Sequence, residues 1–269
     1  SQEGGILYLF GSIHAADESL YPLPSAINDA YEECDALAVE LDITTMTEEN
    51  VEAATQLLSQ MVLPDGQLFS EVCEPTLYSQ VQAILEDKGL YSPLYESFGP
   101  VFWQLILETA AMEESGLDAE SGVDTYFLKR AHDDGIEVLE VESFEFQMEL
   151  LTSEQAQQEA WTALALVAED FDAYATSYKV LFNTYSSGNL AALELIALGN
   201  PGVEQTPDAN LNGDSKYSVK SRNIHMADKA VEYIESGKRV FFVVGAAHMA
   251  GDGGIPALMQ SMGYNVERT

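Results

Sequence analysis

Basic side chains are scarce in this chain. Its 269 residues hold 11 Lys and Arg against 45 Asp and Glu, a formal net charge of −34 with histidine neutral. So negative a surface repels phosphate backbones and anionic headgroups, which argues against nucleic acid and membrane surfaces as partners, and it attracts cations and basic peptides. The acids are scattered through most of the predicted helices, as a solubility or salt adaptation would scatter them. Cysteine is nearly absent: Cys34 and Cys73 permit one disulfide without requiring it, and their spacing makes neither a zinc knuckle nor a redox pair. No apolar run approaches the roughly 20 residues that span a bilayer, so no membrane-spanning segment is expected. The chain begins at Ser1-Gln2-Glu3, shortly before its first apolar run, which is compatible with a signal or anchor segment already removed.

What is present is an ordinary globular composition, 46% hydrophobic and 10% aromatic. With no linker in view, residues 1–269 read as one α/β domain with a central, mostly parallel or mixed sheet, flanking helices and a helical insertion at about residues 45–120. Four apolar stretches read as strands: Ile6 to Phe10, Ala36 to Val39, Ile136 to Glu142 and Val240 to Val244. Short continuous apolar runs suit strands covered on both faces. Helices are predicted from near Ser25, through 47–114 in several pieces, from Val123 to Asp134, and from Asn189 to Leu198. Further helices are predicted over Ser218 to Ser236 and Ile255 to Met262, with an edge strand around Tyr264 to Glu267. Thr152-Ser153-Glu154-Gln155 has the spacing of a capping box and predicts one long helix to about Phe182.

The first and fourth runs end alike, in Gly11-Ser12-Ile13-His14 and Gly245-Ala246-Ala247-His248. Each unit reads as a buried strand delivering a histidine, and in parallel sheets ligands gather beyond the carboxyl ends of the strands. The other two runs end in Glu40 with Asp42 and in Glu142. Two imidazoles with one or two carboxylates match the donors of borderline divalent ions such as Zn, Mn, Fe or Co. The plainer alternatives are hydrogen-bonded structural histidines and acids that cap helices or face solvent. Asp124 opens a helix, and a cap or dipole role is the expectation there. Arg222 and Asn223 read either as a surface pair or as an anion or oxyanion anchor. His132 and His225 read as incidental. Asp208 to Asp214 imitates the start of a calcium loop, but the twelfth position is Val219 rather than glutamate, so it reads as an Asx-rich turn.

Taken together, these segments resemble the TraB/GumN family, which includes PrgY and the Tiki proteins. The resemblance rests on residues 7–14, on Ala38-Val39-Glu40-Leu41-Asp42, and on Gly122-Val123-Asp124 with Gly135, Val141-Glu142-Ser143 and Gln147. It continues in Arg222-Asn223-Ile224-His225-Met226-Ala227 and in residues 243–254. Val141-Glu142-Ser143 departs mildly from the family's usual Leu-Glu-Thr, and basic residues common in relatives are scarce here. The resemblance implies a fold like that of erythromycin esterases and haem-binding ChaN proteins. It also implies a site built from the two Gly-x-x-His units with acidic residues, and an exported location (periplasmic, extracellular or lipid-anchored) rather than a cytoplasmic one.

The expectation that follows is a metal-dependent hydrolase of peptide or protein substrates. His14, Glu40 and His248 would hold Mn, Co or Zn, Glu142 would be the general base, and Arg222 or Asn223 would steady the oxyanion. Asp42, Asp124 and Gln147 are further candidates. Two alternatives stand beside it: a metal-independent esterase-type hydrolase with histidine as general base, and a non-catalytic binder of a peptide signal or haem.

Overall fold

The computed structural model describes residues 5–45, 48–197 and 216–268. In chain order the elements are β1 (Ile6–Ser12), α1 (Ser25–Glu32), β2 (Ala36–Val39), α2 (Glu48–Gln60), α3 (Phe69–Val72), α4 (Pro75–Asp87), α5 (Pro100–Glu114), α6 (Val123–Asp134) and β3 (Glu137–Glu140). They continue with α7 (Phe144–Thr152), α8 (Glu154–Glu169), α9 (Phe171–Ser186), α10 (Leu190–Ala197), α11 (Val219–Glu235), β4 (Arg239–Gly245) and α12 (Ile255–Ser261). The architecture is α/β, and the chain forms two compact units. One comprises Ser1–Thr45, Asp118–Ser143 and Leu181–Thr269, and the other Met46–Leu117 and Phe144–Val180.

The first unit holds a four-stranded sheet in the order β1-β4-β2-β3, every pairing parallel. β2 is buried throughout and β4 after its first residue, which is why these two apolar runs occupy the centre. Alternate residues feed opposite faces. Leu37, Val39, Phe241 and Val243 pack with Tyr31 of α1 and Phe127 of α6, whereas Ala36, Ala38, Phe242 and Val244 pack with Met226 of α11 and Met259 of α12. Two glycines in the left-handed region make tight helix exits into the sheet: Gly135 at φ 69° after α6 and Gly237 at φ 80° after α11.

The second unit is helical among its described residues. In its core Phe69 stacks with Trp103 and with Trp161, at centroid separations of 4.4 and 5.4 Å. Pro75 and Pro100 each start a helix at a position where the missing N–H costs nothing.

Three local expectations change. The predicted helix from Thr152 to Phe182 is broken: Ser153 is the residue that caps α8, accepting from Ala156 N at 3.1 Å, and the helix stops before Asp170, which caps Ala173 N. Thr152 instead ends α7 with its hydroxyl on Met148 O. The predicted edge strand at 264–267 does not form, because Tyr264 N is taken by Met259 O at the end of α12. Third, the strand predicted to run to Glu142 ends at Glu140. Both cysteines are free and buried, and burial pushes the Cys34 thiol up to about 12 and that of Cys73 to about 11, so neither is a reactive thiolate. The calcium-like stretch 208–214 lies outside the described residues. Among the described residues no helix is long and apolar enough to cross a membrane.

Candidate functional site

Strand register brings the two chain ends together. β1 and β4 are neighbours with Ser12 opposite Gly245, so His14 and His248 leave the same edge of the sheet two and three residues later. β2 pairs with β4 and β3 in step, and beyond the strands Glu142 N still donates to Glu40 O at 3.0 Å. Four strand exits therefore deliver His14, Glu40, Glu142 and His248 to one corner of the first unit.

At the centre of that corner is Gly245. A Cβ placed on it would lie 3.4 Å from Glu40 Oε1, 3.6 Å from His248 Cδ2 and 3.7 Å from His14 Nε2. Glycine leaves this space to the three functional side chains, and its N–H donates to Glu40 Oε1 at 2.8 Å.

Each imidazole is held through Nδ1. His14 pairs with Asp124 Oδ2 at 2.8 Å, while Asp124 Oδ1 accepts from the buried Ser12 hydroxyl at 2.6 Å. His248 Nδ1 lies 2.5 Å from Asn223 Oδ1, and Asn223 Nδ2 donates to Gly253 O at 2.8 Å. That second bond assigns the amide orientation, so the His248 Nδ1–H donates and Nε2 keeps its lone pair. His248 Nε2 lies 3.7 Å from Glu40 Oε1, and neither Nε2 has a hydrogen-bond partner among the described residues.

Their surroundings push the pKa values of the two rings apart. The hydrogen bond to Asp124 raises His14 to about 9, with help from the Asp124 and Glu40 charges. Its side chain is 70% exposed, so the imidazolium faces open solvent at the mouth of the corner. Burial pushes His248 down to about 4, and the Arg222 and His14 cations push the same way against Glu40. Burial alone would raise Glu40, but the charges of Arg222 and His14 and the Gly245 N–H, joined by His248 only when that ring is protonated, hold the carboxyl below its ordinary range.

Arg222 closes the other side. Its Nε and Nη2 grip Glu142 Oε1 and Oε2 at 2.8 Å each, and Nη2 also reaches Glu40 Oε2 at 2.9 Å. This planar fork suits a carboxylate, and the buried Glu142 is placed by it.

The geometry gives several of these side chains other partners than their sequence positions suggest. Asp124, expected as a helix cap, stands in the first turn of α6 but spends its carboxylate on Ser12 and His14. Glu142, expected as a general base, has both oxygens on Arg222. Asn223 orients His248. Asp42 is not brought to the corner: it accepts from Thr44 and Thr45 in a turn and pairs with His132 Nε2 at 2.9 Å, so His132 is not incidental. His225 caps the exit of β3 through Val141 O at 3.1 Å. Gln147 lies on α7, in the second unit. Ser12 was missed. It lies two residues before His14, the spacing that puts strand side chains on one face, which is the signal that points to it.

For a metal ion, the donor chemistry fits: two imidazoles with Nδ1 anchored and Nε2 unpartnered, beside a carboxylate oxygen. Among the described residues, however, no three His, Cys, Asp or Glu side chains stand close enough together to hold an ion.

Comparisons with known proteins agree with the sequence resemblance. The chain is 27% identical to protein YbaP of Escherichia coli (strain K12) over 257 residues, which is 94% of this chain and 87% of that protein. The same figures hold for YbaP of Shigella flexneri. No solved structure matches the chain. The profile of the TraB/PrgY/gumN family matches residues 1–268, and the chain belongs to that family.

Proposed function

We propose that this chain is a hydrolase of peptide bonds in which two histidines of opposite charge work across Glu40. The observation that supports it is the pairing of Nδ1 anchors, Asp124 on His14 and Asn223 on His248, which leaves both Nε2 atoms for chemistry beside Gly245. Pairs of titratable groups pushed apart by their surroundings are how one site holds an acid and a base together near neutral pH.

The neutral His248 Nε2 takes the proton of a water seated against Glu40 Oε1, and that water attacks the scissile carbonyl carbon. The His14 imidazolium donates to the developing oxyanion or the leaving amine. Arg222, with Nη1 not engaged by either glutamate, adds positive charge on the same side, and Glu142 fixes its plane. Asp124 and Ser12 keep His14 charged and oriented. Acidic surroundings favour a basic peptide as the substrate.

A second reading is favoured by the same Nδ1 anchors, since metal-bound histidines are usually held this way. In that reading His14 Nε2, His248 Nε2 and Glu40 Oε1 would have to draw closer than they stand here to hold Mn, Co or Zn, which would supply carbonyl polarisation and a water of lowered pKa.

Purified protein assayed on a mixed peptide library, with metal content measured alongside, separates the two. Cleavage that survives chelation and is lost in His248→Ala is the expected result. Cleavage that appears only with added Mn or Co transfers the proposal to the metal reading, and cleavage retained in both His14→Ala and His248→Ala overturns both.

A further inference from the structure

We infer that the outer edge of β1 is the substrate-binding strand of this protein, which takes an extended basic peptide as a fifth strand. The inference rests on the peptide reading above and adds how the substrate is held.

β1 has a partner on one side only, β4, and among the described residues nothing pairs with its other edge. The direction of its backbone groups follows from the ladder. Ile6 N donates toward the β4 side, to Lys238 O at 3.2 Å, and in a strand successive residues alternate sides, so Leu7, Leu9 and Gly11 turn their N–H and C=O outward. Tyr185 confirms the direction, because its hydroxyl reaches Gly11 O from outside at 2.8 Å. The N–H and C=O of Leu7 and Leu9 remain for an incoming strand.

Space and walls are in place beside that edge. A cavity of about 1000 Å³ runs along Gly5 to Phe10. Ile27 and Ala30 of α1 wall it toward the Tyr8 and Phe10 face, and Met259 and Val266 wall it toward the Leu7 and Leu9 face. Such a slot accepts one extended chain whose alternate side chains enter the two walls. An open, half-buried apolar edge is also what a protein ordinarily covers or charges to prevent self-pairing; here the net charge of −34 opposes a second copy.

Charge selects the occupant. The cavity's charged lining residues are Glu235 and Glu267. Lys238 is engaged with Glu137 and Arg239 with Glu33, while Arg268 follows Glu267 along the chain. A peptide carrying lysine or arginine beside apolar residues therefore complements the slot. The groove ends at Phe10, where Tyr185 meets the outward Gly11 O, so a strand bound along Ile6 to Phe10 is the part of the peptide held short of the candidate site.

The test uses a fluorescent, end-blocked eight-residue peptide of alternating valine and lysine, with binding read by anisotropy in His248→Ala protein so that turnover plays no part. The expected result is saturable binding that weakens as salt rises. Methylating the backbone nitrogens of alternate residues in the register that faces β1 lowers affinity by about tenfold or more. Ala26→Trp, on the exposed side of α1 at the groove, and the double variant Glu235→Gln/Glu267→Gln each weaken binding while leaving the melting temperature unchanged. Equal affinity for methylated peptides in both registers, or no effect of Ala26→Trp, overturns the inference. A concentration-dependent dimer that Ala26→Trp abolishes also overturns it, by giving the edge to a second copy. Binding as expected with no cleavage by wild type sinks the hydrolase reading and leaves the groove assignment standing.

Discussion

Asp124 follows His14 by 110 positions, yet its Oδ2 lies 2.8 Å from the His14 Nδ1. The Gly122 backbone makes this approach possible: Val123 N donates to Ile13 O at 2.9 Å, which fastens the first turn of α6 against the exit of β1. The charge of His14 is therefore set by a residue on another element. In metal-free protein its ring should titrate with a midpoint of about 9, facing Asp124, Glu40 and Arg222, and in Asp124→Asn the midpoint should fall toward 6.5. Histidine NMR resonances followed against pH measure this directly, and a wild-type midpoint near 6.5 contradicts the pairing.

The two histidines should also give stability a maximum between acid and alkaline losses. His14, raised to about 9, binds its proton more tightly folded than unfolded. Its contribution is complete below about 6.5 and is lost as pH rises through 9. His248, lowered to about 4, is protonated first in the unfolded chain, so its contribution is present above about 6.5 and is lost as pH falls through 4. Urea midpoints across this range should fall on both sides. The acid loss should be shallower in His248→Gln and the alkaline loss shallower in His14→Gln. Identical pH profiles for wild type and both variants speak against these protonation states.

Much of this arrangement was legible in the chain. Five-residue apolar runs ended by glycine announced β1 and β4, and the acids that follow β2 and β3 marked Glu40 and Glu142. The partners were hidden for definite reasons. Asp124 in the first turn of a helix has a sufficient local explanation, and only the packing of α6 on β1 gives it another. Glu142 reads as a free acid until Arg222, on α11, closes on both of its oxygens. Asp42 shares a segment with Glu40, but Thr44 and Thr45 bind its carboxylate in a turn and hold it away. The tyrosine and valine of 264–267 suit a strand, yet the closing turn of α12 takes the Tyr264 N–H first.

Two glycines should respond oppositely to alanine. At Gly122 a Cβ would collide with the His14 carbonyl oxygen, so Gly122→Ala should lower the melting temperature by several degrees. At Gly245 a Cβ meets its neighbours at ordinary contact distances of 3.4 to 3.7 Å, so Gly245→Ala should fold normally while filling the space between Glu40 and the two rings. Its peptide cleavage should fall by about a hundredfold, as expected when the geometry around a reacting water is lost. Thermal scans and initial rates check both, and full activity in Gly245→Ala contradicts the placement of the site.

The shared site itself is tested by turnover in a mutant cycle. Residues that act as a unit are non-additive, so one loss leaves little for the other to remove. His14→Ala and His248→Ala should each abolish peptide cleavage, and the double variant should be no worse than either. Wild-type turnover in one single variant, or losses that multiply in the double, would show that the two imidazoles do not serve one reaction.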